Sequence, residues 1–450
     1  MISIRSPGRE GEHSNVKIKA LAFVLTAVLL LCGCGQKSET AAAAPAQAVT
    51  APAAQSGMAR PVSTGVTPEQ FGAKGDGIAD DLQALQAAMQ QASASGQPLE
   101  LTAGAVYRFS SCLGLPSGLT IRGNGAVLLS DIQYPDLRED RVAVELMKDS
   151  DDDRAHDVRL ENVTFRAADS CQANYMLRVM LARNVEFVGC TFDCEPNEWG
   201  RCAADLYGGN ENIRFEGCVF RQMTSGASGG IWVRNWTDRV ESRNIRFQNC
   251  EFYKSGADEL LAVWGWGGAV RDVVLSGCSF YETQTQEALD ADHRPAWFIT
   301  LGQSGTTDVR MEDCTVRAEH CETIFRMVGD KTRAVVDNCD ITMKQPDSMA
   351  EHDMKKGANP MLARGNDRAD GSTVIQNSRI TLSGDNGRRI CYQLSALKGN
   401  TLDVSLGCGI ASTKEVSGNT IRGRIRHKVF QDCSGMENNN VDVRRFSILG

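Results

Sequence analysis

The chain of 450 residues carries 48 basic and 56 acidic residues, a formal net charge of −8. With no basic stripe, this balance argues against nucleic acid as a partner. About 385 residues follow position 65, more than most single compact domains contain, so either two domains or one repetitive domain is required.

The chain begins with the pattern of an export signal. Residues 20–32 form an apolar run that follows Lys17 and Lys19 and is too short to span a bilayer as an ordinary helix. Its end, Leu31-Cys32-Gly33-Cys34, resembles the lipobox of bacterial lipoproteins, which implies that residues 1–34 are a signal peptide and that Cys34 receives the lipid. A plain signal peptide cut further along is the alternative.

The position after the lipid site bears on localisation. In such lipoproteins an Asp there favours retention in the inner membrane, and this chain has Gly35. The resemblance therefore implies a lipid-anchored protein of the bacterial envelope, at the outer membrane, with its periplasmic or surface face left open. We expect membrane contact through the lipid anchor only.

Residues 35–65 predict a flexible tether. From residue 41 this segment is rich in Ala, Pro, Ser, Thr and Gln, has Arg60 as its only charge and shows no hydrophobic period. The folded domain is therefore expected at residues 66–450.

An eightfold repeat dominates this domain. Each copy reads apolar-x-apolar, two polar or small residues, a residue that is usually Cys, and two residues later an aromatic or aliphatic one, as in VEFVGCTF. The copies occupy residues 158–165, 185–192, 213–220, 245–252, 273–280, 309–316, 334–341 and 373–380. Short strands separated by bends predict an all-β fold, a right-handed parallel β-helix of about eleven coils whose strands stack about 4.8 Å apart.

The repeat places cysteines in one column. We expect an interior ladder, since buried free Cys packs as a small hydrophobe, with a Phe column beside it. The Cys ladder comprises Cys190, Cys218, Cys250, Cys278, Cys314 and Cys339, and the Phe column comprises Phe192, Phe220, Phe252 and Phe280. A disulfide framework is the alternative, with Cys194 and Cys202 the pair most readily bridged. No CxxC pair occurs, and we expect neither a metal nor a cofactor.

The start of the domain carries a family resemblance. Residues 71–81 read FGAKGDGIADD and precede apolar residues at helical spacing, which predicts a glycine-rich turn, an Asp cap and an α-helix of about twelve residues closing one end of the solenoid. This opening resembles that of the pectate-lyase-like β-helix superfamily, which includes rhamnogalacturonases, epimerase-like pectate lyase domains, polygalacturonases and phage tailspikes. Leu82 stands where the superfamily commonly has Thr.

The resemblance implies polysaccharide chemistry but does not define the reaction. The G-H-G block of polygalacturonases and the D-P-H-E block of alginate epimerases are missing, and no calcium cluster like that of pectate lyases is evident. The candidate catalytic acids are Asp205, Asp258 and Glu259, which precede equivalent strands two coils apart, about 10 Å by strand spacing. That separation permits inverting hydrolysis, while ordinary surface acids are the alternative.

The strands before the Cys repeats predict a binding surface. We align Arg178, Tyr207, Arg234, Trp264, Thr300 and Arg326 as equivalent outward positions, because their neighbours along the chain are apolar. The expected substrate-binding residues, here called the outer strip, are Arg178, Tyr207, Trp232, Arg234, Trp236, Trp264, Trp266 and Arg326. Their aromatic rings would stack on sugars and their guanidiniums would pair with carboxylates. The alternative is that residues 284–295 cover the strip.

Together these patterns predict an envelope-anchored protein that cleaves an acidic, uronate-containing polysaccharide as a lyase or a glycoside hydrolase. The alternatives are a non-catalytic glycan-binding module and a structural surface protein. The sugar, the chemistry and the oligomeric state are left open by the sequence.

The first test concerns the anchor. Cys34→Ala removes the thiol that would accept the lipid, so the protein should leave the membrane fraction and lose its label in cells fed a radioactive fatty acid. Fatty-acid labelling that persists in the variant would contradict the lipobox assignment.

Overall fold

The computed structural model describes residues 65–133, 141–147, 153–194, 202–223, 230–235, 240–254, 259–282, 297–319, 321–344, 360–366, 370–384 and 388–444. Four elements of the sequence predictions lie outside these ranges: Cys34 with the signal peptide and nearly all of the tether, Trp236, Asp258, and the loop at 284–295.

The chain winds into a right-handed parallel β-helix, as the repeat predicts. A complete coil contributes one strand to each of three parallel sheets. The sheets are named first, second and third in the order in which a coil passes through them, starting from the strand Leu113–Gly114. The first and second sheets are joined because one strand, Leu261–Ser276, runs through both without a break. The described residues form twelve coils, counted by the strands of the first sheet, against the expected eleven.

The strands are numbered along the chain. The first sheet consists of β4 (Leu113–Gly114), β7 (Val142–Met147), β10 (Tyr175–Met180), β13 (Cys202–Leu206), β16 (Ile231–Arg234), the start of β19 (Leu261–Ser276), β21 (Trp297–Thr300), β24 (Thr323–Arg326), β27 (Ala363–Arg364), β30 (Cys391–Tyr392), β33 (Ile410–Ala411) and β36 (Phe430–Gln431). The second sheet consists of β2 (Leu99–Glu100), β5 (Thr120–Arg122), β8 (Ala155–Glu161), β11 (Ala182–Val188), β14 (Glu211–Glu216), β17 (Ser242–Gln248), the end of β19, β22 (Gly305–Glu312), β25 (Lys331–Asp337), β28 (Ser372–Gln376), β31 (Ala396–Lys398), β34 (Glu415–Ser417) and β37 (Met436–Glu437). The third sheet consists of β1 (Asp76–Asp80), β3 (Val106–Phe109), β6 (Val127–Ser130), β9 (Thr164–Ala167), β12 (Thr191–Asp193), β15 (Val219–Met223), β18 (Glu251–Lys254), β20 (Ser279–Glu282), β23 (Thr315–Ala318), β26 (Asp340–Lys344), β29 (Arg379–Ser383), β32 (Thr401–Leu406), β35 (Thr420–Ile425) and β38 (Asn440–Arg444).

The bend between the second and third sheets explains the small or polar residue before each repeat Cys. At this position the backbone adopts φ between 51° and 62°, a left-handed conformation that Gly, Asn and Asp tolerate best. The residues are Asn162, Gly189, Gly217, Asn249, Gly277, Asp313, Asn338 and Asn377. The repeat motif therefore marks one corner that recurs in successive coils of this chain.

The predicted Cys ladder is interior. All six cysteines are buried, and each thiol donates to a backbone carbonyl one coil earlier, as Cys218 does to Phe187 at 3.3 Å and Cys278 to Phe247 at 3.3 Å. The Phe column is stacked too, with centroids 4.9 Å apart for Phe192 and Phe220 and 4.6 Å apart for Phe252 and Phe280. Thiol and ring columns thus fill the core coil by coil.

The ladder continues beyond the last Cys with polar residues. Ser378 takes the Cys position, followed by Asn400 and Asn419. The amide of Asn400 donates to the carbonyl of Ile375 at 3.0 Å, and that of Asn419 donates to Leu397 at 2.8 Å. These amides satisfy the same kind of carbonyl as the thiols do, which explains why the C-terminal coils remain in register after the Cys pattern ends.

The disulfide suggested for Cys194 and Cys202 is wrong. Both side chains are buried free thiols. Cys194 packs in the main core, whereas Cys202 belongs to a separate apolar cluster with Trp232 and Ala262. Proximity in sequence therefore does not produce a disulfide here. Every cysteine in the described part of the chain is free.

The N-terminal cap has the expected helix. A short 3-10 helix, Pro68–Phe71, precedes α1, Leu82–Ser95, whose face with Leu85, Ala88 and Met89 is fully buried against the core. The carboxylate of Asp81 accepts hydrogen bonds from the amides of Lys74 at 2.7 Å and Gly75 at 3.0 Å. Asp81 therefore fixes the glycine-rich turn and gives no side-chain cap to the helix, while Asp80 accepts a hydrogen bond from the amide of Leu82 at 3.2 Å.

No helix in the described residues is long and apolar enough to cross a membrane.

The ladder gives a stability test. Cys250→Asp places a carboxylate among apolar columns, and the free energy of unfolding should fall by at least about 3 kcal/mol. Cys250→Ser should be tolerated far better, because Ser378 already occupies this column and a hydroxyl can donate to the carbonyl of Phe215. Chemical denaturation measures both variants. An unchanged unfolding midpoint in Cys250→Asp would show that the column is not buried in solution.

Candidate functional site

The outer strip lies on the outward face of the first sheet. The chain neighbours of its residues, Leu177, Leu206, Val233, Val263, Ile299 and Phe325, are all buried in the main core. Alternation along a strand therefore sends the strip residues to the other side. The predicted direction is confirmed for the strip residues that the structure describes, which do not include Trp236.

Their alignment across coils requires a correction. The register places Arg178, Asp205, Trp232, Ala262, Thr300 and Arg326 in one row. Arg234 lies opposite Trp264, two positions further along the strands. The motif alignment put Tyr207, Arg234 and Trp264 in the first row. A slip of two residues keeps every side chain on the same face, so the apolar pattern alone does not reveal it.

Asp205 forms the centre of a buried ionic cluster. Its side chain is fully buried and accepts hydrogen bonds from two guanidinium groups. Arg178 donates through Nε at 3.1 Å and Nη2 at 3.0 Å, and Arg234 donates through Nε and Nη2 at 2.7 Å each. Burial by itself would lower the pKa of Arg234, but the hydrogen bonds and negative charge of Asp205 reverse this, and the pKa is raised. Arg234 is therefore held in its charged form.

Aromatic rings surround these two guanidiniums. The Cζ atom of Arg178 lies 4.4 Å from the ring centroid of Tyr175 and 5.2 Å from that of Tyr207. The Cζ atom of Arg234 lies 4.8 Å from Tyr207 and 4.1 Å from Trp232. Burial raises the pKa of the Tyr175 hydroxyl, so this ring also stays neutral. The arrangement is an arginine pair held by one carboxylate and three aromatic faces.

The strip is only partly open to water. Arg178, Trp232 and Arg234 are buried, although they lie outside the main core. Trp264 is half-buried and stacks on Trp232 with centroids 5.6 Å apart, and Trp266 is 60% exposed. The indole nitrogens of Trp232 and Trp264 have no hydrogen-bond partner among the described residues. Trp264 and Trp266 therefore form the accessible surface, and the residues beneath hold it in place.

A second charged centre lies further along the same face. Glu259 is buried and accepts a hydrogen bond from the hydroxyl of Thr300 at 2.7 Å, and its Oε1 lies 3.6 Å from Nη1 of Arg326. Arg326 also lies over the ring of Trp297 at 4.9 Å. Burial lowers the pKa of Arg326, with Glu259 acting in the opposite direction.

The two acids are not arranged as a pair on one bond. In the row, Asp205 and Thr300 are three strand spacings apart, about 14 Å, and Glu259 turns toward Thr300. Carboxylates that act on one glycosidic bond lie about 5 Å apart for retention and about 6.5 to 9.5 Å apart for inversion. Asp205 and Glu259 lie two coils apart along the chain path, as expected, but the side chain of Glu259 turns away from Asp205, and the catalytic roles of both remain predictions.

The structure adds residues that sequence reasoning missed. Tyr175 and Trp297 provide rings over the guanidiniums of the two centres. The outward row extends to Glu145 beside Arg178 in one direction and to Arg364 beside Arg326 in the other. Strand parity could have placed Arg364 on the outward face. The strand β27 has only two residues, however, so no strong apolar pattern marks it in the sequence. Within the described ranges, no group of three His, Cys, Asp or Glu residues is placed to hold a metal ion.

The fold and site together define a parallel β-helix protein with an aromatic and arginine-rich outer face. Residues 66–357 match the family model described as rhamnogalacturonase A/epimerase, pectate lyase-like. The chain belongs to this family, and membership supports a function related to polysaccharides.

Solved structures share the fold at low sequence identity. Two structures of PfbA, a surface adhesin of Streptococcus pneumoniae, match with TM-scores of 0.56 and 0.53 at 14% and 13% identity. They cover 85% and 86% of this chain and 98% and 93% of PfbA. A family 28 exopolygalacturonase of Yersinia enterocolitica matches with a TM-score of 0.43 at 12% identity, covering 85% of this chain and 79% of the enzyme. The comparison with curated proteins gives no match.

The ionic cluster gives a direct test. Asp205→Asn keeps the shape of the side chain but leaves two buried guanidiniums without their carboxylate, so the free energy of unfolding should fall by about 3 to 5 kcal/mol. Glu216→Gln is the control, since its ion pair with Arg214 is about 40% exposed and should contribute less than about 1 kcal/mol. Equal unfolding midpoints for the two variants would show that Asp205 does not hold the arginine pair.

Proposed function

We propose that the protein binds an acidic, uronate-containing polysaccharide on the outward face of the first sheet, and that it does so at the bacterial envelope through a lipid on Cys34. The single observation that supports this best is the outer strip itself. It combines one exposed and one half-buried indole with buried, preorganised guanidiniums on one continuous surface of stacked strands.

The exposed indoles favour a sugar as ligand. A Trp that is 60% exposed beside a half-buried Trp presents apolar area that soluble proteins usually cover. The flat, weakly polar faces of pyranose rings match such indoles. Trp232 beneath holds the indole of Trp264 in a fixed orientation, so little ordering is required on binding.

The charges favour an acidic sugar. Glu145 and Asp205 balance Arg178 and Arg234 in their part of the face, so the positive charge of the face comes from the next arginines along the row. Arg326 lies one coil beyond Thr300 and Arg364 lies two coils beyond it, in the same row. The acid near them is Glu259, which accepts a hydrogen bond from Thr300. Guanidinium groups bind carboxylates with two parallel hydrogen bonds, which gives uronates an advantage over neutral sugars.

Cleavage of this polysaccharide is the second candidate. It is favoured by Glu259 and Arg326 at the edge of the strip, an acid and a guanidinium that lie 3.6 Å apart. A lyase needs a base beside a uronate, and a hydrolase needs two suitably spaced acids. Arg326 is therefore the first candidate base to test, and Glu259 the first candidate acid.

A panel of acidic and neutral polysaccharides separates these functions. Ultraviolet absorbance of unsaturated uronate marks a lyase, new reducing ends without that absorbance mark a hydrolase, and binding without either marks a binder. A parent protein that neither binds nor cleaves any acidic polysaccharide would overturn the proposed function.

The strip gives the corresponding mutational test. Trp264→Ala and Trp266→Ala should each weaken binding of polygalacturonate at least about tenfold, by removing the ring on which a sugar stacks. Tyr281→Ala is the matched control, because this half-buried ring stacks on Tyr253 on the third sheet. Calorimetric titration measures binding, and thermal unfolding verifies the fold. If both Trp variants bound like the parent, the strip would not be the binding surface.

A further inference from the structure

A cavity of about 350 Å³ lies at the C-terminal end of the first sheet. Arg389, His427, Lys428 and Gln431 line it, with Cys408 and the β33 residues at its base. The register connects this cavity to the strip, since Arg326, Arg364, Tyr392, Ala411 and Gln431 occupy one row in five consecutive coils. The cavity is therefore the far end of the same outward face.

The cavity carries two basic side chains, Arg389 and Lys428, together with His427. Arg389, His427 and Lys428 form no ion pair within the described part of the chain. The groove on the second sheet provides the contrast, since there Arg214 pairs with Glu216 at 2.7 Å and Arg246 with Asp272 at 2.8 Å. Uncompensated positive charge in a concave site attracts an anion.

An aromatic ring lies beside the cavity. The Cζ atom of Arg389 lies 5.6 Å from the ring centroid of Tyr392, which is half-buried in the same row as Arg364. The volume falls within the range of about 300 to 1,000 Å³ that is usual for small-ligand sites. A cationic cavity with a ring at its side suits a single sugar unit that carries a carboxylate.

We propose that this cavity is a second subsite, which binds a carboxylate-bearing sugar of the same polysaccharide that contacts the outer strip. This inference rests on the proposed function. Four strand spacings separate Arg326 from Gln431, about 19 Å, so only an oligomer of several sugars reaches both positions. Affinity should therefore depend on chain length.

Titration of the intact protein with polygalacturonate fragments tests the subsite. Lys428→Gln and Arg389→Gln should each weaken binding of long fragments about three- to tenfold and leave binding of a disaccharide unchanged. Arg424→Gln is the control, because it removes the same charge from an exposed site on the third sheet in the neighbouring strand β35. Inorganic phosphate and monomeric galacturonate serve as competitors.

The outcomes are distinguishable. If the parent protein binds no fragment, the proposed function fails. If the parent binds but the cavity variants match the parent or Arg424→Gln at every length, the second subsite is wrong and the function of the strip stands. Phosphate that displaces long fragments as well as galacturonate does would show a simple anion site and also overturn the proposal.

Discussion

In-register stacking of the coils is the constraint on which the rest of this structure depends. Parallel strands lie about 4.8 Å apart, so each residue meets its counterpart from the coils before and after. In the core, this proximity favours identical side chains in successive coils. Examples are the stacked Phe rings and the thiols or amides that donate hydrogen bonds to the preceding coil. Outside, the same spacing turns single residues on separate strands into a continuous surface.

The outer surface shows how such a scaffold prepares a site. Arg178 and Arg234 come from alternate coils and are joined by the one carboxylate between them, that of Asp205. Burying charge in this way contributes little net stability compared with an apolar cluster, yet it fixes the direction of both guanidiniums. Tyr175, Tyr207 and Trp232 then enclose the pair, and Trp264 stacks above. The cluster lies outside the main core, which is consistent with a role in holding a surface in shape.

The sequence was sufficient for the fold because the repeat records a local requirement. A corner with φ near 55° needs Gly, Asn or Asp, and the position after it needs a small interior side chain, so both appear in every copy. The Cys pattern does not mark the C-terminal coils, because Ser378 and Asn400 replace Cys there while forming equivalent hydrogen bonds. The α1 helix was predictable from its apolar spacing, but the role of Asp81 was not, since its bonds reach back to a turn whose path is set by tertiary structure.

The site was predictable in its direction and not in its contacts. Strand parity correctly placed Trp264 and Arg234 on the outward face, because one apolar neighbour decides it. Strand parity gives the face on which a side chain lies, but it does not reveal a shift of two residues in register or which acid a given Arg contacts. Loops of unequal length between coils allow such shifts. The sequence therefore suggested Asp205 as a candidate catalytic acid, whereas the structure shows its carboxylate between two guanidiniums.

The central claim is that the outward face of the first sheet binds an acidic polysaccharide. A crystal structure of the domain with a polygalacturonate oligosaccharide tests this most directly. Sugar rings should stack on Trp264 and Trp266, with carboxylates directed to arginines of the same face. An oligosaccharide bound only on the second or third sheet, with the strip empty, would contradict it.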